Sequence, residues 1–418
     1  MKKITDKRYI QGLTWMCIAA YLVSYLTRKN FAAVLAQFTL SEGVEKSAAS
    51  VITVSLFIFY GIGQLLSGWL GDRLSPRKIM TFGLALTTAV NISMPFLGAN
   101  TTVMAVFWGI NGIAQAFMWP PMVKIMTGRF SSEVYKDAVL KVSLGSAVGT
   151  MMIYGIAALF IKLFADWKPI FFFSAFCGAI MTAVWYFGVD KIEEYADKYG
   201  EEAVIEAPGA TKNVGKTQSG FNPFTMSPII PIMLAIVFQG MLRDGIEQWM
   251  PSYLSEGYGI ETSGAVLSSI ILPILTMACM KVTSFIYGKY FKNELTCSAV
   301  IFGIGTLASA LLYLVHGGSA VPAIVLTAVI ASAMHGVNLI LICMIPPHFE
   351  KYGNVSFISG MINFCTYVGS AIFTYGIAKI AEVWDWKTTV LSWAVAAFVG
   401  TVICVLTIIP WKSFKARD

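Results

Sequence analysis

Two arginines lie in apolar stretches of the chain, where their side-chain chemistry is most informative. Arg28 occurs in "AAYLVSYLTRKNFAAVLAQF" and Arg243 in "LRDGIEQWMPSYL". A guanidinium at the centre of a membrane helix costs about 2.5–3.5 kcal/mol, and two of them facing one cavity would repel unless an anion lay between them. Each fork can donate two N–H bonds to a phosphate, which near neutral pH carries between one and two negative charges. We therefore predict that Arg28 and Arg243 bind one phosphate group.

Lys29 and two tyrosines accompany Arg28 in this stretch. A basic side chain near a helix end can extend to the headgroups, and this alternative stays open for Lys29. This alternative is weaker for Arg28. The first span runs from the cytoplasm outward, so its C-terminal end faces the non-cytoplasmic side, where basic residues are rare. Tyr21 and Tyr25 precede Arg28 by seven and three residues and so share its helix face. They either hydrogen-bond the substrate or pack between helices.

Other polar residues in apolar stretches are further candidates for the binding site. Lys124 follows a proline pair and either adds to the positive field or marks a cytoplasmic helix end. Glu247 follows Arg243 by four residues, near enough to pair with it. It either holds the guanidinium when no substrate is bound, or is displaced by phosphate, or contacts hydroxyl groups of the substrate. Asp244 lies on a different face, where it either supports Glu247 or faces solvent, and it is not placed in the site. Candidates for contacting hydroxyls from the second half of the chain are His335, Asn338, Asn363 and Tyr367. For His335, a structural role between packed helices is the alternative.

The elements that must position these residues are membrane helices. The 418 residues are 56% hydrophobic and 13% charged, about half the charged fraction usual in soluble domains. Apolar runs of about 20 residues, enough to cross a bilayer as a helix, recur along the chain, and the alternating pattern of a β-barrel is absent. We predict an all-α membrane protein with twelve transmembrane helices, at approximately 9–38, 48–71, 77–98, 102–128, 137–164, 168–188, 226–254, 262–289, 294–315, 320–347, 354–381 and 387–409.

The distribution of basic residues predicts the orientation of these helices. Lysine and arginine are concentrated in alternate short loops, such as 73–78 and 129–136, and nearly absent from loops such as "HGGSA". This positive-inside pattern places both termini in the cytoplasm, and the short loops suit a bacterial inner (plasma) membrane. The N-terminal "MKKITDKRYIQG" enters the first apolar run without a small-residue cleavage site, which favours an uncleaved first helix.

The chain also contains an internal duplication. Four features recur with offsets between 215 and 226 residues: "ADWKPIFFF" with "WDWKTTVLS", "WPPMVKI" with "IPPHFEK", "GDR" with "GKY", and Arg28 with Arg243. Because matches in register indicate homologous halves, we predict two pseudo-symmetric six-helix halves, 1–189 and 226–418, joined by a cytoplasmic linker at 190–225. Parallel halves of this kind place the substrate site at their interface, near the bilayer midplane.

The loop after the second span, "GWLGDRLSPRK", resembles the signature loop of the major facilitator superfamily and lies at the expected place. The resemblance implies the major facilitator fold. It also implies a gating role for Asp72, Arg73 and Arg77, because in that family the loop helps to latch the two halves on the cytoplasmic side. The alternative is a basic loop that only sets topology.

Three further motifs resemble the organophosphate:phosphate antiporter family within that superfamily. They are "YLTRKNF" at 25–31, "WPP" at 119–121 and "LRDGIEQWMPSYL" at 242–254, and the resemblance covers essentially the whole chain. Members exchange glycerol-3-phosphate, hexose phosphates or phosphoglycerates for inorganic phosphate, and the resemblance assigns Arg28 and Arg243 to phosphate binding. One departure is Val142, where the glycerol-3-phosphate members carry a His. The pattern around Glu247 is closer to the hexose-phosphate members.

These features predict a secondary active antiporter that exchanges a sugar phosphate, such as hexose 6-phosphate, for inorganic phosphate by alternating access. It is expected to act as a monomer surrounded by membrane lipid. The chain lacks a GxxxxGK[ST] loop, so solute gradients must drive transport. It also lacks a nucleophile–His–acid grouping, a metal-ligand spacing and a CxxC pair among its seven cysteines, so neither an enzyme nor a metal, a cofactor or a disulfide framework is expected.

The topological placement of the basic loops argues against nucleic acid as a partner. Two alternatives to the antiporter stay open: a membrane sensor of external sugar phosphate on the same scaffold, and a proton-coupled solute symporter. The sequence leaves open the identity of the organic moiety, the direction of net transport and any coupling to protons.

Overall fold

The computed structural model describes residues 2–200, 222–352 and 355–416, and these residues lie almost entirely in helices. Within the described ranges, twelve helical segments are long and apolar enough to cross a membrane. Lipid offers no partner for backbone N–H and C=O groups, so a helix that satisfies its own is the stable form of such apolar segments. The predicted all-α membrane fold with twelve spans is confirmed.

The first six spans are long helices with short connections. The first helix has 36 residues, about 54 Å at 1.5 Å per residue, so its ends extend beyond a hydrocarbon core of about 30 Å. The helices of this half are α1 (Lys7–Glu42), α2 (Lys46–Arg73), α3 (Pro76–Ser93), α4 (Thr101–Ala116), α5 (Trp119–Arg129), α6 (Ser132–Phe164) and α7 (Pro169–Tyr199).

The second half repeats this organisation after a short helix. Its helices are α8 (Pro223–Met226), α9 (Ile229–Tyr258), α10 (Thr262–Ser268), α11 (Ile271–Tyr290), α12 (Glu294–Leu314), α13 (Ala320–Asn338), α14 (Val355–Val383) and α15 (Trp386–Lys415). Helix α13 continues into a π-helical turn, Leu339–Met344, and a 3₁₀ segment, Pro346–Tyr352.

Three spans are interrupted, and each interruption lies close to a proline. Helices α4 and α5 are one span that breaks just before Pro120 and Pro121, and α10 and α11 are one span that breaks four residues before Pro273. A proline lacks the N–H that bonds to the carbonyl four residues earlier and its ring clashes with that carbonyl. The π-helical turn after α13 likewise precedes Pro346, and such turns occur frequently at functional sites.

The described residues divide by packing into two compact units. One contains the residues up to Val34 and those from Phe59 through α7, and the other contains Leu35–Ile58 together with the helices from α8 onward. In the second unit, Lys46 Nζ lies 2.9 Å from Glu256 Oε2, and the backbone N–H of Ser47 donates to Glu382 Oε1 at 2.7 Å. The start of α2 is therefore bound to the ends of α9 and α14.

The predicted linker is described only at its two ends. Helix α7 continues to Tyr199, ten residues into the segment 190–225, and the chain is described again from residue 222. The part at 201–221 lies outside the described residues, and the domain boundaries predicted from the sequence stay a prediction.

Candidate functional site

Arg28 lies on α1 among aromatic rings of the first unit. Its guanidinium carbon is 4.4 Å from the ring centroid of Tyr25 and 5.1 Å from that of Tyr60. A guanidinium within about 6 Å of an aromatic centroid is attracted by the negative face of the ring. Tyr60 belongs to α2, so α1 and α2 together position Arg28.

The aromatic contacts continue from Arg28 towards α5. The rings of Tyr21 and Tyr25 meet edge to face at 5.2 Å, and the ring of Tyr21 lies 4.9 Å from that of Trp119. The common helix face predicted for Tyr21, Tyr25 and Arg28 is therefore present, and it reaches the first residue of α5. Lys29 and Lys124 are both half-buried, on α1 and α5.

A buried network of amide and hydroxyl groups holds α1 next to Arg28. The carbonyl of Thr27 accepts bonds from Asn91 at 3.1 Å and from Asn111 at 3.0 Å, and its hydroxyl accepts a bond from Gln115 at 2.9 Å. Asn30 donates to Asn91 at 2.6 Å. Thr27 and Asn30 are fully buried, so this network fixes α1 against α3 and α4 on either side of Arg28 in the sequence.

Arg243 lies on α9 and is held by a carboxylate. Its Nε donates to Asp244 Oδ1 at 2.9 Å and its Nη2 to Asp244 Oδ2 at 2.6 Å. Both side chains are nearly buried, at 10% and 7% exposure. The hydroxyl of Ser370, on α14, donates to the same Asp244 Oδ2 at 2.6 Å, so a residue that the sequence analysis did not place in the site is the bidentate partner of Arg243.

Close packing of α9 against α14 brings Ser370 to Asp244. A Cβ added at Gly240 would overlap the carbonyl oxygen of Thr366, and one added at Gly369 would overlap that of Val237. Small residues let membrane helices approach until their backbones touch. The Ser370 hydroxyl also contacts the Gly240 carbonyl at 3.2 Å, which shows how near the two backbones are.

Glu247 contacts a histidine of another helix. Its Oε1 lies 2.7 Å from Nε2 of His335 on α13, and its pairing with Arg243 stays a prediction. The side chains of Glu247 and His335 are 13% and 25% exposed, so the pair is only partly desolvated.

The remaining candidates of the second half are Asn338 on α13 and Asn363 and Tyr367 on α14. Asn338 donates to Gln239 Oε1 at 3.4 Å, and Gln239 donates to the carbonyl of Met334 at 2.9 Å. The ring centroid of Tyr367 is 5.9 Å from the Arg243 guanidinium carbon. Asn363 is half-buried one helical turn before Tyr367 on α14.

The signature loop is described in part. The side chains of Asp72 and Arg73 lie outside the described residues, so their predicted gating role stays a prediction. Arg77 forms an ion pair with Asp190 and lies 4.0 Å from Glu193. Both acidic residues belong to α7, so these contacts of Arg77 are made within its own unit.

The position at which Val142 departs from the glycerol-3-phosphate transporters is a packing position in this protein. Val142 is fully buried on α6, and the neighbouring Lys141 is exposed and paired with Asp137 at 2.6 Å. Among the described residues, no group of three or more His, Cys, Asp or Glu could hold a metal ion.

Sequence comparison gives relatives of known or assigned function over nearly the whole chain. The chain is 26% identical over 415 residues to the glycerol-3-phosphate transporter of Bacillus subtilis, covering 95% of this chain and 91% of the relative. It is 25% identical to a probable hexose phosphate transport protein of Chlamydia muridarum, covering 94% and 89%. It is 21% identical to the membrane sensor protein UhpC of Escherichia coli, covering 95% and 91%. These relatives confirm the resemblance to the organophosphate:phosphate antiporter family.

Solved structures with the same fold are transporters. A nucleoside transporter, NupG, matches with a TM-score of 0.73 at 12% identity, covering 94% of this chain and 99% of the other. A D-xylose-proton symporter matches with a TM-score of 0.70 at 13% identity, covering 95% and 97%. The relatives named above are transport proteins or a membrane sensor, and the protein is not an enzyme, as expected. The sequence model of the Major Facilitator Superfamily matches residues 17–374, and the chain belongs to that superfamily.

Proposed function

We propose that the protein is a secondary active antiporter that exchanges a phosphorylated organic anion for inorganic phosphate, with Arg28 and Arg243 binding the phosphate. The observation that carries the proposal is Arg243, a nearly buried arginine within a membrane-spanning helix. Burying a cation in such a helix is energetically costly, and charged residues inside membrane helices usually mark a substrate or ion site. The most similar relatives named above transport glycerol-3-phosphate or are assigned to hexose phosphate transport.

The chemistry around Arg28 supports the same proposal. The faces of two tyrosine rings lie within about 6 Å of the guanidinium carbon, close enough to attract the cation. Lys29, the next residue, and Lys124 on α5 add positive charge in the same unit. This unit therefore offers a positive, partly desolvated environment suited to an anion with several acceptor oxygens.

The organic part of the substrate is proposed to be a sugar, as in hexose 6-phosphate. The support is the Glu247–His335 pair at 2.7 Å, with Asn338 nearby on α13. A carboxylate, an imidazole and an amide together can accept and donate hydrogen bonds to several hydroxyl groups. Inorganic phosphate carries no carbon-bound hydroxyl, so these residues would distinguish the two exchanged anions.

The transport cycle follows from the charge of the site. A ligand can drive a conformational change only through its different affinity for the two states. A phosphate compensates the two arginines most strongly when the site is closed and dry, so closing is favoured when the carrier is loaded. The carrier therefore exchanges one phosphorylated anion for another. The movement would be the rocking of one half against the other that is expected for this fold.

The protein is an integral membrane protein. We propose that it acts as a monomer in a bacterial inner membrane with both termini in the cytoplasm. The support for this orientation is the positive-inside distribution of lysine and arginine among the loops.

The test is uptake of radiolabelled phosphate by proteoliposomes, with vesicles either loaded with phosphate or empty. We expect uptake by loaded vesicles only, and its loss in Arg28→Ala and Arg243→Ala. Arg8→Ala removes an exposed arginine before the first apolar run and should keep wild-type uptake. Uptake by empty vesicles, or wild-type uptake by both site variants, would contradict the proposal.

A second candidate is a membrane sensor, because the relative UhpC is one and covers the same length of chain. A sensor would bind hexose 6-phosphate, and it would not exchange it for phosphate. Binding measured by calorimetry together with absence of exchange in the same preparation would favour the sensor over the antiporter.

A further inference from the structure

We infer that Asp244 is an internal counter-ion that takes the place of the phosphate on Arg243 when the carrier is empty. The inference rests on the proposed function and adds a positioning residue to it. Phosphate and Asp244 would then compete for Arg243, and the competition would set how tightly phosphate binds and how readily it leaves.

Arg243 binds Asp244 through two N–H groups, in the way that arginine binds an oxyanion. Two N–H groups on one edge of the Arg243 guanidinium donate to the two oxygens of Asp244, at 2.9 and 2.6 Å. A phosphate presents two oxygens to this edge in the same way, since carboxylate and phosphate are both bound by arginine through two parallel bonds. An anion that uses this edge must therefore displace Asp244.

Because the pair is buried, Arg243 needs a counter-ion, and Asp244 provides one. Arg243 and Asp244 are 9% and 6% exposed, and a buried cation without a counter-ion is strongly destabilising. Asp244 supplies such a counter-ion to Arg243 through the two bonds described above. A phosphate bound to Arg243 provides the same compensation, so the carboxylate is needed for charge balance only while phosphate is absent.

Ser370 gives the carboxylate a second partner that does not depend on Arg243. Its hydroxyl donates to Asp244 Oδ2 at 2.6 Å from α14, and the α9–α14 contact that places it is fixed by Gly240 and Gly369. When phosphate takes the guanidinium, the displaced carboxylate keeps this bond. The exchange of one anion for another at Arg243 therefore leaves Asp244 hydrogen-bonded.

The direction in which Asp244→Asn changes the affinity for phosphate distinguishes this role from a purely structural one. If Asp244 competes with phosphate, Asp244→Asn removes the competing charge and phosphate binds more tightly. If Asp244 only orients Arg243, the same substitution misplaces the guanidinium and phosphate binds more weakly.

The experiment titrates inorganic phosphate into detergent-purified protein and follows its thermal unfolding and calorimetric binding. For Asp244→Asn we expect a lower unfolding temperature without phosphate, a larger rise on adding it, and an affinity tighter by on the order of tenfold. In exchange assays both KM and kcat should fall, because phosphate is released more slowly. Asp137→Asn, which neutralises an exposed aspartate on α6, should bind phosphate like the wild type.

Two outcomes would overturn the inference. The first is weaker or unchanged phosphate binding by Asp244→Asn. The second is that neither Asp244→Asn nor Asp244→Ser folds in the presence of phosphate. Asp244→Glu keeps the competing charge and should show no gain in affinity. If the wild-type protein itself does not bind phosphate, the proposed function fails instead, and the two failures are thereby distinguished.

Discussion

The two arginines that the predicted duplication places at equivalent positions contact different kinds of side chain. Arg28 lies against the faces of Tyr25 and Tyr60, whereas Arg243 is bound through two N–H groups to Asp244. An aromatic face attracts the charge, and a carboxylate also neutralises it. The contacts described for the two arginines therefore differ in kind: aromatic faces lie next to Arg28, and a carboxylate binds Arg243.

The helices that carry the two arginines are also held in place by different contacts. Helix α1 is fixed by side-chain amides that converge on Thr27, and α9 is fixed by direct backbone approach to α14 at Gly240 and Gly369. The first arrangement depends on several hydrogen bonds that can be removed one at a time. The second depends on the absence of a side chain at two positions, so a single added methyl group should disrupt it.

Replacing Gly240 with Ala should have the largest effect. The added Cβ would overlap the carbonyl oxygen of Thr366, so α9 and α14 must separate and the Ser370–Asp244 bond must break. We expect loss of the monodisperse protein peak in size-exclusion chromatography of solubilised membranes. Gly303→Ala, which adds a methyl group where nothing lies within 4 Å, is the control and should keep a wild-type peak. A wild-type peak for Gly240→Ala would show that the close approach is not required.

Asn111→Leu should have a smaller effect on the first unit. It removes the 3.0 Å bond to the Thr27 carbonyl and the acceptor of the Thr87 hydroxyl, at a cost of about 1–3 kcal/mol for unsatisfied buried groups. We expect a lower unfolding temperature of the purified protein with folding retained. Ser93→Ala, whose hydroxyl donates to the Ala89 carbonyl of its own helix, should unfold like the wild type. Equal unfolding temperatures for Asn111→Leu and Ser93→Ala would argue against a supporting role of the network.

Glu247→Gln and His335→Gln should alter selectivity more than stability. Both substitutions weaken the 2.7 Å pair, and we expect the KM for hexose 6-phosphate to rise on the order of tenfold, equivalent to about 1.4 kcal/mol. Inorganic phosphate in the same preparations is the internal control, and its KM should change less. An equal change for both anions would place the pair in phosphate binding and remove its role towards the sugar.

Tyr60→Leu should have the smallest effect of the four. It removes one of the rings that contact Arg28, and a cation–π contact contributes about 0.5–2 kcal/mol. We expect a few-fold higher KM for phosphate in exchange. Tyr375→Leu, an exposed position on α14, serves as the control, and an unchanged KM in Tyr60→Leu would show that the ring does not help to hold the arginine.

The features predicted correctly from the sequence are those governed by strong, local physical constraints. Twelve spans follow from hydropathy, because only helices satisfy the backbone in lipid. Arg28 and Arg243 stand out in the sequence because charge within apolar segments is rare, and their role in binding phosphate stays a prediction. The break in the fourth span before Pro120 and Pro121 was not predicted, although proline cannot continue a helix without losing a bond.

The features that were missed depend on contacts between helices or on side-chain flexibility. Neighbouring residues on a helix point about 100° apart, which placed Asp244 away from Arg243, yet the long arginine side chain turns back onto its neighbour. Ser370 is 126 residues away, and no local pattern indicates that contact. The amide network had a usable signal, because Asn91, Asn111 and Gln115 are polar residues inside apolar spans and such residues usually bond between helices.

The central claim is that Arg28 and Arg243 bind the same phosphate, and a double-mutant cycle on phosphate affinity tests it most directly. Calorimetric titration would compare the wild type, Arg28→Ala, Arg243→Ala and the double variant, with Arg8→Ala as the exposed control. If both arginines bind one anion, either single variant should lose most of the binding free energy and the double variant should lose little more, because coupled residues are not additive. Losses that simply add, or a single variant that binds phosphate as the wild type does, would contradict the account.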